Sequence, residues 1–175
     1  MKLKLFAAAL PALFAMSSYA DIEGGSAIIK FTGSVTSSTC EISQVGTDKE
    51  VVLGEVASTT LVSNGVSADK AFNIALENCS AVEDAGDALT GAYVIFKGET
   101  VDGTVLKTTN DDVGIEVKQN GTALALDGTT KTSTVNFDGT GKAVFDFTAN
   151  YKNLGGETVA AGDASSTVDF TVYYQ

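Results

Sequence analysis

Several stretches of the chain place reactive residue types close together, and each names a chemistry that can be checked against its full requirements. Ser67-Ala68-Asp69-Lys70 matches the Ser-x-x-Lys of penicillin-interacting enzymes, in which the serine is the nucleophile. That chemistry also needs Ser-Asp-Asn and Lys-Thr-Gly elements, and neither occurs. Gly139-Thr140-Gly141-Lys142 resembles the end of a phosphate-binding loop. However, Asn136 stands where the first glycine belongs, and Ala143 where a Ser or Thr would hold magnesium. A hairpin turn explains that stretch better. Asn110-Asp111-Asp112, and Asp84 with Asp87, offer oxygen atoms to a calcium ion, but no twelve-residue loop closed by a glutamate follows, and solvated acidic loops are the simpler reading. The sequons Asn78-Cys79-Ser80 and Asn120-Gly121-Thr122 fall on a cysteine and on a turn dipeptide, and neither is given a function.

Composition removes most other chemistry. The chain has 175 residues, no His and no Trp, and all 11 of its basic residues are Lys. Histidine triads, histidine-ligated zinc and haem sites and four-cysteine clusters are therefore excluded, and no cofactor is expected. Catalysis through carboxylates alone would need a pair of acids that stands out from the acidic loops, and none does.

The first twenty residues read as a secretory signal peptide: Lys2 and Lys4, an apolar run from Leu5 to Met16, then Ser18-Tyr19-Ala20. That run is shorter than the roughly 20 residues a spanning helix requires, and no later stretch is apolar enough to span a bilayer. Removing residues 1–20 takes away two lysines and no acid, so the net charge of −11 becomes −13. Such a surface repels nucleic acid and anionic lipid. Export to an oxidising compartment makes a Cys40–Cys79 disulfide the default, the other reading being two buried thiols.

What remains suits one domain, rich in Thr, Val and Gly. Alternation of period two recurs in Ile29-Lys30-Phe31, Val51 to Val56, Phe72 to Leu76, Tyr93 to Phe96, Ile115 to Val117, Val144 to Phe147 and Phe170 to Tyr174, with no comparable helical period. Between these runs lie Asn64-Gly65, Asp102-Gly103, Asn120-Gly121, Asp127-Gly128 and Asp138-Gly139, dipeptides that tolerate positive φ. Thr122 to Asp127, flanked by two of them, is the most secure hairpin. The pattern predicts an all-β sandwich of immunoglobulin-like type. Near the start, Ala27, Ile29, Phe31, Gly33 and Val35 share one face of an extended segment, and on pattern alone that segment is an ordinary first strand.

Taken in order, the residues resemble the pilin subunits of chaperone–usher fimbriae, most nearly the major subunits of type 1 pili. The likeness rests on Ile29-Lys30-Phe31-Thr32-Gly33-Ser34-Val35 ahead of Cys40, on Val52-Leu53-Gly54-Glu55-Val56, and on Phe72-Asn73-Ile74-Ala75-Leu76-Glu77-Asn78-Cys79. It continues through Gly114-Ile115-Glu116-Val117 and Ala123-Leu124-Ala125-Leu126-Asp127-Gly128. It closes with Gly162 and the penultimate Tyr174. The resemblance implies an incomplete immunoglobulin-like sandwich lacking its last strand. Residues 1–20 would be the signal peptide, 21–38 an N-terminal donor-strand extension and 39–175 the pilin domain. Ala27, Ile29, Phe31, Gly33 and Val35 would be the donated face, with Gly33 fitting a shallow pocket. Gly162, Phe170, Val172, Tyr174 and Gln175 would border the accepting groove and meet a chaperone. The partners implied are other pilin subunits in a homopolymer, a periplasmic chaperone that lends a strand, and an outer-membrane usher that exchanges it. The product would be a surface fimbria used for adhesion. A secreted monomeric β-sandwich that binds carbohydrate is the rival; its platform would have to come from Tyr93, Tyr151, Tyr173 and Tyr174.

Overall fold

A computed structural model describes residues 40–45, 50–79, 83–84 and 87–175. Its elements, in chain order, are β1 (Glu41–Val45), α1 (Ser58–Asn64), β2 (Lys70–Glu77), β3 (Glu83–Asp84), β4 (Asp87–Ala88), β5 (Gly91–Gly98) and β6 (Val105–Lys107). They continue with β7 (Val113–Gln119), β8 (Thr122–Ala123), β9 (Asp127–Lys131), β10 (Val135–Asn136), β11 (Ala143–Asn153) and β12 (Val168–Tyr174). One sheet runs β1-β2-β11-β7-β6, with β8 beside β7. The second runs β10-β5-β12, with β9 also on β5. β3 and β4 form a small ribbon of their own. Every described strand pair is antiparallel.

The sheets meet through the residues that the period-two pattern points inward. Ile74 and Leu76 of β2 and Phe145 and Phe147 of β11 pack against Ala92, Val94 and Phe96 of β5, all of them buried. The Phe96 and Phe147 rings meet edge to face at 5.2 Å, a favoured aromatic geometry. Cys40 and Cys79 are disulfide-bonded, as expected, at the β1 end of the first sheet. Asn120 (φ 52) and Gly121 (φ 77) both adopt positive φ between β7 and β8, the two-residue turn whose twist suits a hairpin. The expected hairpin over Thr122 to Asp127, however, forms only at this end: Asp127-Gly128 opens β9, which pairs with β5 in the second sheet, so the segment crosses between the sheets.

Several further local expectations are corrected. Val51 to Val56 forms no strand, and Gly54 there turns left-handed (φ 79). The helix that follows, α1, was not anticipated; Leu61 is its sole buried residue, so it shows no 3.6 period. Asn64-Gly65 ends that helix and makes no hairpin: Gly65 (φ 77) donates its N–H to the Leu61 carbonyl at 2.9 Å, a left-handed C-cap. Asp138 to Lys142 likewise joins β10 in one sheet to β11 in the other, so it is a crossover and not a hairpin. The Asp138 carboxylate closes it by accepting from the Thr140 and Lys142 backbone N–H groups and the Thr140 hydroxyl at 2.8–2.9 Å.

Candidate subunit-docking groove

β12 pairs with β5 from Val168↔Gly98 to Tyr174↔Ala92, and among the described residues β5 is its one strand partner. Alternation puts Val168, Phe170, Val172 and Tyr174 on the core side and Asp169, Thr171 and Tyr173 outside. Directly across the ladder, Ala92, Val94 and Phe96 are shielded by β9 and β10 on the far edge of β5 and are at most 2% exposed. Their partners Tyr174, Val172 and Phe170 reach only half-burial although they pack on the same core. Apolar side chains that point inward yet stay half-exposed leave apolar area that a further strand along this edge would bury.

The segment leading into β12 lines a recess of about 420 Å³ together with Val56, Leu61, Val113 and Tyr151. Gly54 to Val56 and Val159 to Ala164 both contribute to its wall. The second of these stretches is pinned from the loop after β6. The Asn110 amide donates to the Ala160 carbonyl at 3.0 Å, and Asp112 accepts from the Ala160 N–H at 2.9 Å. Thr109 donates its hydroxyl to the Asp163 carbonyl and its backbone N–H to the Ser165 carbonyl. Asn110 and Asp112 therefore hold a strand approach, and no metal-binding cluster occurs among the described residues. These wall-holding residues went unrecognised in the sequence, because their partners lie about fifty positions away.

Of the predicted groove residues, Phe170, Val172 and Tyr174 lie together on one face of β12. Gly162 lines the recess, where an added Cβ would meet nothing nearer than the Asn110 amide nitrogen at 3.9 Å. At the chain end, the Gln175 carbonyl-position oxygen accepts from the Thr90 and Gly91 N–H groups at 2.7 and 3.0 Å. Ala27, Ile29, Phe31, Gly33 and Val35 lie outside the described residues, as does the signal peptide.

Charged groups elsewhere are structural. On the outer face of the first sheet, Lys118 pairs with Asp69 at 3.1 Å and with Glu116 at 3.4 Å, and Lys152 pairs with Glu116 at 2.8 Å. Burial opposes the Lys118 charge, but those two carboxylates win and raise its pKa. Asp127 is held far below the usual carboxylate range by the backbone N–H groups of Thr130 and Thr129 and the Thr130 hydroxyl. It is fully exposed and organises the start of β9. Among the described residues, no helix is long and apolar enough to cross a membrane.

Comparison with known proteins decides the family. The model of the fimbrial protein family matches residues 29–175. The chain belongs to the fimbrial protein family. It is 34% identical to a type-1 fimbrial protein subunit of Serratia marcescens over 95% of this chain and 96% of that protein. Two solved pilus structures share its fold. One is a chaperone–usher pilus studied for rod uncoiling (26% identity, TM-score 0.72, 88% of this chain and 98% of that one). The other is the P pilus rod subunit PapA (25% identity, TM-score 0.69, 79% and 100%). The pilin is a structural subunit of a surface fimbria, not an enzyme, and it assembles with other pilins. A self-contained carbohydrate module is not favoured. Of the four tyrosines it would use, Tyr151 and Tyr174 are half-buried, and Tyr93 is stacked against Tyr173.

Proposed function

We propose that this pilin builds a fimbrial shaft by strand addition: the segment carrying Ala27, Ile29, Phe31, Gly33 and Val35 of one subunit enters the groove beside β12 of the next. The observation that carries the reading is the half-exposed row Phe170, Val172 and Tyr174 set against the fully buried row of β5. An added strand brings main-chain hydrogen bonds to the open edge and apolar side chains to the exposed row. Burying Ile29, Phe31 and Val35 contributes on the order of 5–9 kcal/mol before those hydrogen bonds. A head-to-tail contact of this kind gives an open filament unless its rotation closes a ring.

An exposed edge of this kind invites aggregation until it is covered. A periplasmic chaperone that lends a strand along β12, engaging Gly162 and the Gln175 carboxylate end, would protect the subunit during export. An outer-membrane usher would then exchange it for the next subunit. The test replaces Phe31 with Asp, or Gly33 with Leu, and examines fibres by electron microscopy. The reading expects loss of fibres with soluble subunit retained in the chaperone complex; normal fibre yield from both variants contradicts it.

A further inference from the structure

The outward side of β12 carries a row of groups that the groove reading leaves unused. Tyr93 of β5 and Tyr173 of β12 are direct partners in the ladder, and their rings stack at 5.3 Å, 9° from parallel. The Lys131 ammonium of β9 sits 4.3 Å from the centre of the Tyr93 ring. β9 and β12 flank β5 on opposite edges, so the row runs cation, ring, ring toward the edge of β12 that has no strand partner among the described residues. Tyr93 is covered on both faces. Tyr173 is 43% exposed, and its second face turns toward the edge that an added strand would occupy. Four residues earlier on the same side of β12, Asp169 presents an exposed carboxylate, with Thr171 between them. This face offers an anion and a π surface, both of which attract a cation.

The segment proposed to enter the groove carries one charge. When Ala27, Ile29, Phe31, Gly33 and Val35 point inward, alternation turns Ile28, Lys30, Thr32, Ser34 and Thr36 outward. Every described strand pair is antiparallel, and the incoming strand is aligned the same way. Setting Ala27 beside Tyr174 and Val35 beside Ser166 covers the whole of β12. A slide of two residues one way carries Ala27 past Gln175; a slide the other way sets Gly25, which has no side chain, beside Tyr174 and leaves that ring uncovered. In the covering register Lys30 lies opposite Thr171, with Asp169 and Tyr173 as its two diagonal neighbours. Diagonal cross-strand positions are about 7–8 Å apart, within reach of a lysine side chain.

We propose that Asp169 and Tyr173 form a binding position for Lys30 of the neighbouring copy of this chain, so that a cation on the outer face adds to the apolar row in holding the inserted strand in this register. This rests on the strand-addition reading above. Lys30 would continue the alternation of Lys131, Tyr93 and Tyr173 across the subunit boundary.

The test uses purified fibres. Lys30→Cys combined with Thr171→Cys should give a ladder of disulfide-linked subunits under non-reducing conditions, because direct antiparallel partners lie within disulfide range. Fibres of Lys30→Gln should dissociate in guanidinium about threefold to tenfold faster than wild type, and Lys30→Arg should restore the rate. With Lys30 in place, Asp169→Asn and Tyr173→Leu should each speed dissociation and, combined with Lys30→Gln, add little further loss. Unchanged dissociation in Lys30→Gln, Asp169→Asn and Tyr173→Leu, or absence of the disulfide-linked ladder from intact fibres of the double-cysteine variant, overturns the Lys30 position. If Phe31→Asp still abolishes fibres in that case, strand addition stands without it; if Phe31→Asp fibres are normal, both fall.

Discussion

Phe170 and Phe96 face each other across the β5–β12 ladder with ring centres 6.2 Å apart, yet Phe96 is 2% exposed and Phe170 is only half-buried. Two identical side chains on one core differ because β5 has strands on both edges and β12 is flanked, among the described residues, on one. The difference marks the edge at which the proposed strand addition would occur, and it makes the two positions respond differently to truncation. Phe96→Ala should destabilise the subunit by about 3–5 kcal/mol in any state. Phe170→Ala should cost distinctly less in a chaperone-free subunit than in the fibre, where the proposed added strand would complete its burial. Guanidinium denaturation of subunit and fibre, followed by tyrosine fluorescence, compares the two.

The Cys40–Cys79 disulfide closes a loop with a sequence separation of 39. In the chain-entropy account, a loop of that size is worth roughly 4 kcal/mol. Replacing both cysteines with Ser should lower the denaturation midpoint sharply and reduce the yield of subunit in the periplasm. Urea titration of refolded wild-type and variant chains measures the first.

Glycines in this chain separate into those that need their conformation and those that do not. Gly121 has φ 77 and open space around it, and Gly139 has open space with no positive φ. Gly121→Ala should therefore cost about 1–2 kcal/mol through the left-handed backbone alone. Gly139→Ala should be neutral or stabilising by about 0.4–1 kcal/mol, because it restricts the unfolded chain. Thermal unfolding of the two variants, compared side by side, checks the contrast.

Asp127, Asp138 and Asp102 are all held below the usual carboxylate range by hydrogen bonds they accept, led by the Thr130 N–H, the Thr140 hydroxyl and the Thr104 N–H respectively. A carboxyl whose folded pKa is depressed contributes stability above its unfolded value, near 3.9, and loses it as pH falls through the folded value. The subunit should lose stability progressively as pH drops from about 4 toward 2. Asp127→Asn combined with Asp138→Asn should flatten that slope. Denaturation midpoints measured at a series of acidic pH values test it.

Much of the sandwich was legible because its inward rows obey period two: Phe72 to Leu76, Tyr93 to Phe96, Ile115 to Val117, Val144 to Phe147 and Phe170 to Tyr174 all fall inside strands. The Asn120-Gly121 hairpin was legible because two positive-φ positions in a row leave few residue choices. α1 was not, since seven residues with one buried side chain carry no periodicity. Nor was the wall of the recess, which depends on Asn110 and Asp112 meeting Ala160 across a distance in sequence that no local rule spans. Phe170, Val172 and Tyr174 could be picked out as a row, but that they remain half-exposed depends on β12 having, among the described residues, a strand on one edge only, which is not written in β12 itself.

The most direct measurement is a helical reconstruction of the assembled fibre at a resolution that traces side chains. The account predicts that residues 27–35 of each subunit run beside β12 of the adjacent subunit, with Phe31 and Val35 turned into its core and Lys30 turned out toward Asp169 and Tyr173. Residues 27–35 folded against β12 of their own chain, with subunits joined through some other surface, would contradict it.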